Sequence, residues 1–154
     1  MGLMRTLISA VEHHYKVQLM PSSAIVEWAV RHIGWSLTRF CIMEDGLTPF
    51  RKLRGREYAG ALAEFAETVL FHEQGPSKHF AKRWMKGIWL GKVNSTDEHI
   101  IGTAEGREPS RTVARRPESK RWDNSLMEKV ICTPMDTKAS LNPPPAAARS
   151  TYLT

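Results

Sequence analysis

The segment AIVEWAVRHIGWSLTRF constrains this chain more than any other. Read at helical spacing it has two apolar stripes. One is Val26, Ala29, Val30, Ile33, Leu37 and Phe40; the other is Ile25, Trp28, His32 and Trp35. A helix that is apolar on two sides must be covered on two sides. The preceding segment, residues 2–19, repeats Leu3, Leu7, Val11 and Tyr15 every fourth position, with Ile8 alongside, and so predicts a helix able to cover one of them. Pro21 separates the two, and Ser22 or Ser23 followed by Glu27 supplies an N-cap and an acid for the first turn. No neighbouring segment clearly covers the second stripe. The expectation is that Trp28, His32 and Trp35 form an interface to a sheet or subunit absent from this chain.

After residue 45 the pattern changes. Thr48-Pro49 reads as a helix cap and first position, opening a short basic helix, PFRKLRGRE, stopped by Gly55. From residue 61 the periodicity is that of strands: one around Glu67 to Glu73, one over MKGIWLGK, one over EHIIGT and a weaker one over SRTVARR. Asp97-Glu98 falls in the polar turn between the second and third, while Gly75-Pro76 and Gly102 to Gly106 read as breaks. Alternation sends Ile88 and Leu90 to one face and Trp89 to the other, and Trp122 is placed to close the sheet. The end, ASLNPPPAAARSTYLT, is low in complexity and is expected to be disordered.

The fold class is therefore α+β, with two to three N-terminal helices, a small antiparallel β-barrel-like module and a disordered C-terminal tail. The expected divisions are residues 1–45 (helical), 46–60 (basic connector), 61–122 (β module) and 123–154 (mostly disordered).

The 154 residues carry a formal net charge of +6. Residues 1–60 hold eight Lys/Arg against five Asp/Glu, residues 61–122 eleven against eight, and residues 123–154 three of each. The basic excess lies where the chain should fold, which suits a polyanionic partner and equally an ordinary basic surface. Cys41 sits in an apolar run and reads as a core residue; Cys132 is far away, and no disulfide framework is implied. The start MGLMRTL runs into the first amphipathic pattern instead of a signal peptide, and no apolar run approaches the ~20 residues of a membrane span. An intracellular location is expected.

Catalytic chemistry finds little support. The acids Glu12, Glu27, Glu44, Asp45, Glu64, Glu67, Asp97 and Glu98 do not cluster on paired strands. His13, His14, His32, His72, His79 and His99 lack zinc-ligand spacing, and a site from His72, His79 and Cys132 has no spacing behind it. No nucleophile elbow, phosphate loop or dinucleotide fingerprint occurs. No metal or other cofactor is expected.

Three basic clusters carry more weight. They are Arg51, Lys52, Arg54 and Arg56; Lys82, Arg83, Lys86 and Lys92; and Arg107, Arg111, Arg115, Arg116, Lys120 and Arg121. Together they can form a phosphate-facing stripe for DNA or RNA. Trp84, Trp89 and Trp122 either stack bases or fill the barrel, and filling is favoured because a small barrel needs large side chains.

Four segments in order now carry a resemblance. GLMRTLISAVEHHY with AIVEWAVRHIGWSLTRF is similar to the helical end of an integrase catalytic core. DGLTPFRKLRGREYAG is similar to a Thr-Pro-aromatic connector. LAEFAETVLFHEQ, RWMKGIWLGK and DEHIIGT resemble the strands that follow it, and SRTVARRPESKRWD the Arg/Trp-Asp end. Over residues 2–123 the chain resembles the C-terminal part of a copia-type retrotransposon integrase from a Gag-Pol polyprotein. That family has a ribonuclease H-like fold and joins DNA with two divalent metals held by an Asp, Asp, Glu triad. The resemblance places all three acids before the matched region, and Glu12 does not match the catalytic glutamate, so no catalytic residue carries over. It implies an inactive, integrase-like fragment with non-specific nucleic-acid binding through Arg51, Lys52, Arg54, Arg83, Lys86, Lys92, Arg111, Arg115 and Arg116. The alternatives are an interaction remnant that docks on an integrase core, or self-associates, through Trp28, His32 and Trp35, and a decayed reading frame without selected function. A nuclear location is implied if the chain acts with an integrase.

Overall fold

Serine and threonine caps set the helices. In the computed structural model, which describes residues 2–72 and 84–135, α1 spans Gly2–Tyr15 and α2 spans Ala24–Phe40. The Ser23 side chain accepts the Ile25 N–H at the start of α2, with Glu27 in the first turn. Helix α1 stops earlier than the periodicity suggests, because Lys16 turns left-handed (φ 54°). Helix α3, Pro49–Arg54, has Thr48 as its N-cap and Gly55 left-handed (φ 73°) at its end, as the sequence implies.

Five strands follow: β1 (Thr68–His72), β2 (Trp84–Lys92), β3 (His99–Thr103), β4 (Gly106–Ser110) and β5 (Val113–Arg115). They form one antiparallel sheet in the order β4-β3-β2-β1-β5. Strands β4 and β5 lie at opposite edges, yet only Arg111 and Thr112 separate them. In a flat sheet those edges would be ~19 Å apart. The chain from Ser110 to Val113 reaches at most ~11 Å. The sheet must therefore curl, and polar contacts clasp the seam. The Ser110 hydroxyl lies 3.0 Å from the carbonyl of His72 and 2.9 Å from that of Thr112.

Strand β4 is missing from the sequence reading. GREPS has no apolar alternation, and Pro109 is tolerated because the strand lies at an edge.

The curled sheet is apolar on both faces. Inside it Val69, Phe71, Trp89 and Ile101 pack together. Outside, Ile88, Leu90 and Ile100 join Val11, Tyr15, Ile25 and Trp28. The alternation of Ile88, Trp89 and Leu90 is thus as expected. The pairing of β2 with β3 slips between Trp89 and Gly91. Gly91 takes φ 136°, which a side-chain-bearing residue rarely adopts.

One expectation falls here. The stripe of Trp28 and Trp35 is covered by this chain itself. Trp28 is fully buried, and its indole N–H donates to the Cys132 carbonyl at 2.8 Å. No absent sheet is needed, and the helical and β segments share one core. The start of the segment after residue 122 docks locally. A 3-10 turn at Glu118–Lys120 leads into α4, Asn124–Glu128, capped by Asp123. Met127, Val130 and Cys132 are buried in the same core. Residues 136–154, the rest of the expected disordered segment, lie outside the described residues.

Polar anchors join the layers. Tyr15 donates its hydroxyl to the Ala66 carbonyl, and Asn124 Nδ2 donates to the Tyr15 carbonyl at 2.6 Å. Burial pushes the Tyr15 hydroxyl pKa upward. Trp122 stacks on His14 at 3.8 Å and meets Tyr15 edge-on at 5.5 Å, so it ties the exit of the sheet to α1.

Candidate nucleic-acid interface

Strand β2 is longer than its neighbours, and that length creates the candidate surface. It has nine residues, against five in β1 and five in β3. Trp84 to Gly87 pair with β1 alone, and pairing with β3 begins at Ile88. The overhanging residues Trp84, Met85 and Lys86 are exposed, whereas everything from Gly87 to Lys92 is buried.

Trp84 stands opposite His72 across the β1–β2 ladder. The two rings lie 3.7 Å apart and inclined by 39°. The Trp84 side is nearly half exposed, at 46%. Lys86 is opposite Leu70, and Ala114 is the neighbour of Leu70 on its other side. That register sets Arg111 beyond the His72 end of β5 and Arg116 beyond its other end. Arg111 is exposed and Arg116 half-buried. A tilted aromatic pair beside a lysine, with arginines at the border, can hold a base by its face and a phosphate by its charge.

Arg115 is drawn inward instead. Its guanidinium binds the Glu67 carboxylate through Nε at 3.0 Å and Nη2 at 2.6 Å. The Glu67 side chain is wholly buried, and that of Arg115 is 44% exposed. The hydrogen bond to Glu67 raises the arginine's pKa. Arg115 is first a partner for a buried acid, with only its flank free for a phosphate.

Lys92 contradicts the expected contact edge. It is 2% exposed, and its ammonium donates to the Ala61 carbonyl at 3.0 Å and to Asp97 at 3.1 Å. The Tyr58 hydroxyl donates to the other Asp97 oxygen at 2.7 Å. These bonds to Tyr58 and Lys92 hold the Asp97 pKa below the usual carboxylate range, against the effect of its burial. Asp97 sits in the turn, as expected, with φ 59°.

Arg51, Lys52 and Arg54 are exposed on α3. Arg51 lies 3.2 Å from Glu57, and Lys52 2.5 Å from Asp45. Helix α3 belongs to the Lys92 end of β2, since Phe50 packs on Tyr58 and Tyr58 binds Asp97. Lys86 lies six residues back along the strand, ~20 Å away. The basic residues therefore form two patches, not one stripe. Arg83 lies outside the described residues.

The expected docking face is closed. Trp35 is 4% exposed. His32 lies between Phe65 at 5.2 Å and Trp35 at 5.7 Å, with Trp89 edge-on at 5.4 Å. Its Nε2 is 3.4 Å from the Ser36 hydroxyl. Burial, then Arg31, pushes its pKa down to about 4. The apolar residues that α2 leaves exposed are Val30, Leu37 and Phe40, from the opposite stripe.

Among the described residues, no group of three or more His, Cys, Asp or Glu is placed to hold a metal ion. No described helix is long and apolar enough to cross a membrane. The sequence reading considered Trp84 only alongside Trp89 and Trp122, and it missed the pairing with His72. The signal was the length of WMKGIWLGK against that of the strand after it. Compared with protein-family models, curated proteins and solved structures, the chain matches none of them.

Proposed function

We propose that this chain is a nucleic-acid-binding module that contacts phosphates and base faces without reading sequence. The observation that carries the reading is Trp84, 46% exposed, lying over His72 next to exposed Lys86. Trp84 packs on His72 yet leaves nearly half of its surface to solvent, and the net charge of +6 favours a polyanion. Bases offer a π-face to stack on, and the adjoining backbone supplies charge for Lys86, Arg111 and Arg116. The resemblance to copia-type integrases belongs to the same proposal: the module holds DNA or RNA, and any phosphodiester chemistry belongs to a partner.

The test is a salt series of fluorescence anisotropy with a labelled single-stranded oligonucleotide. For single strands the slope of log affinity against log salt is about −0.7 per neutralised phosphate. Lys86→Gln should reduce its magnitude by roughly that amount. Affinity that is the same at low and high salt would refute the reading. So would metal-dependent cutting or joining of DNA by the purified chain, which would make it an enzyme.

A further inference from the structure

A second basic feature lies at the other end of β2. Helix α2 carries Arg31, Trp35 and Arg39 at i, i+4 and i+8, so the three share one face. Together with Phe50 and Arg54 of the α3 region and Asn94 of the β2–β3 turn, they line a cleft of about 420 Å³.

Arg39 is only 8% exposed. Its guanidinium lies 4.4 Å from the Trp35 ring centre and 5.3 Å from those of Phe50 and Tyr58. Its one hydrogen bond runs from Nη1 to the Trp35 carbonyl at 3.4 Å. Arg31 donates from Nη2 to the Lys92 carbonyl at 2.7 Å. Three further nitrogens, Arg31 Nη1, Arg39 Nε and Trp35 Nε1, are buried with no hydrogen-bond partner. All three belong to residues lining the cleft. Buried donors are ordinarily satisfied, and buried charges ordinarily paired. Among the described residues no carboxylate bridges Arg31, Arg39 or Arg54. Asp97, the acid nearest in influence to Arg39, is already bonded to Tyr58 and Lys92. Burial, then Arg107 and Arg39, lowers the pKa of Arg31; burial lowers that of Arg39 against the opposing pull of Tyr58 and Asp97.

We infer that this cleft is an anion site that takes a phosphate group, gripped by Arg31 and Arg54 with Arg39 behind it. The guanidinium fork suits phosphate oxygens, and buried N–H donors suit an acceptor-only ligand. The phosphate can be free or the 5′ end of an oligonucleotide. The site does not depend on the Trp84 surface, ~20 Å back along the strand.

Calorimetric titration with inorganic phosphate, against chloride at equal ionic strength, tests the site. Saturable binding is expected, weakened about tenfold in Arg54→Gln by loss of one charged hydrogen bond. Arg54 is exposed, so this variant should fold; Arg31→Gln serves as the second, more buried probe. Failure of phosphate to bind, or equal affinity in wild type and Arg54→Gln, overturns the site. If phosphate binds, preference for a 5′-phosphorylated oligonucleotide over its 5′-hydroxyl counterpart assigns the source to nucleic acid, and no preference assigns it to free phosphate. A chain that binds phosphate but no oligonucleotide keeps this site and loses the Trp84 interface.

Discussion

Strand β2 contains the same residue types twice. Its first half has Trp84 and Lys86, both exposed; its second half has Trp89 and Lys92, both buried. Trp89 fills the inside of the curled sheet against Val69, Phe71 and Ile101, and its indole donates to His99 Nδ1 at 3.0 Å. Lys92, itself buried, pairs with Asp97, whose side chain is 45% exposed. The difference is one of neighbours. The first half has β1 on one side only. The second has β3 beside it, and Trp89 also bonds the backbone of Ala66 and Glu67 at 2.8 Å. A tryptophan–lysine pair becomes core or contact surface according to how many strands flank it.

The largest test of that contrast is Trp89→Ala. It should cost about 4 kcal/mol, because it empties the sheet interior and leaves the His99 ring nitrogen unpaired. Trp84→Ala should stay within about 0.5 kcal/mol. Urea unfolding measures both, and similar losses would erase the distinction. Next in size is Arg115→Ala, which among the described residues leaves the carboxylate of wholly buried Glu67 with only the Glu64 N–H at 3.2 Å and Arg121 at 4.0 Å. We expect a loss of about 2–3 kcal/mol, at the lower end for a broken buried pair because much of the guanidinium is in water. Adding Glu67→Gln should recover part of it; no recovery would mean that packing, not charge, sets the cost.

The buried half also predicts a pH dependence. Burial, then Lys92, pushes the His99 pKa down to about 4, and the donated Trp89 N–H needs the ring neutral. His32 is lowered to a similar value. For such groups the unfolded chain binds more protons between pH ~6.5 and ~4. Their contribution is therefore complete above pH ~6.5 and is lost as the pH falls towards 4. A loss of up to about 3 kcal/mol per histidine is expected across that window. His99→Gln should flatten the slope of stability against pH, and an unchanged slope would assign the acid sensitivity to other groups.

Much of this was legible in the residues. Ser23, Thr48-Pro49 and Gly55 marked helix ends through local backbone chemistry, and alternation gave Trp89 a face of its own. What stayed hidden depends on distant segments. The burial of Lys92 requires Ala61, Tyr58 and Asp97 to converge, and nothing near Lys92 announces that. The second stripe of α2 looked uncovered because its cover, including the Cys132 segment, lies 104 residues from Trp28 in sequence. Strand β4 was invisible because edge pairing asks little of side chains. Arg31 and Arg39 were legible as an i, i+8 pair, but the eye follows apolar stripes along such a helix.

The smallest effect on stability carries the most about function. Trp84→Ala should leave the fold intact yet weaken oligonucleotide binding about tenfold, the loss of one stacked base. Its salt slope should not change, since no charge is removed. Lys86→Gln should do the reverse, changing the slope with a smaller loss at low salt. Trp84→Phe should lie between Trp84→Ala and the wild type, because it keeps a π-face of reduced area. If Trp84→Ala binds as tightly as the wild type while Lys86→Gln does not, the surface is electrostatic alone. The tryptophan over His72 would then need a partner other than a base.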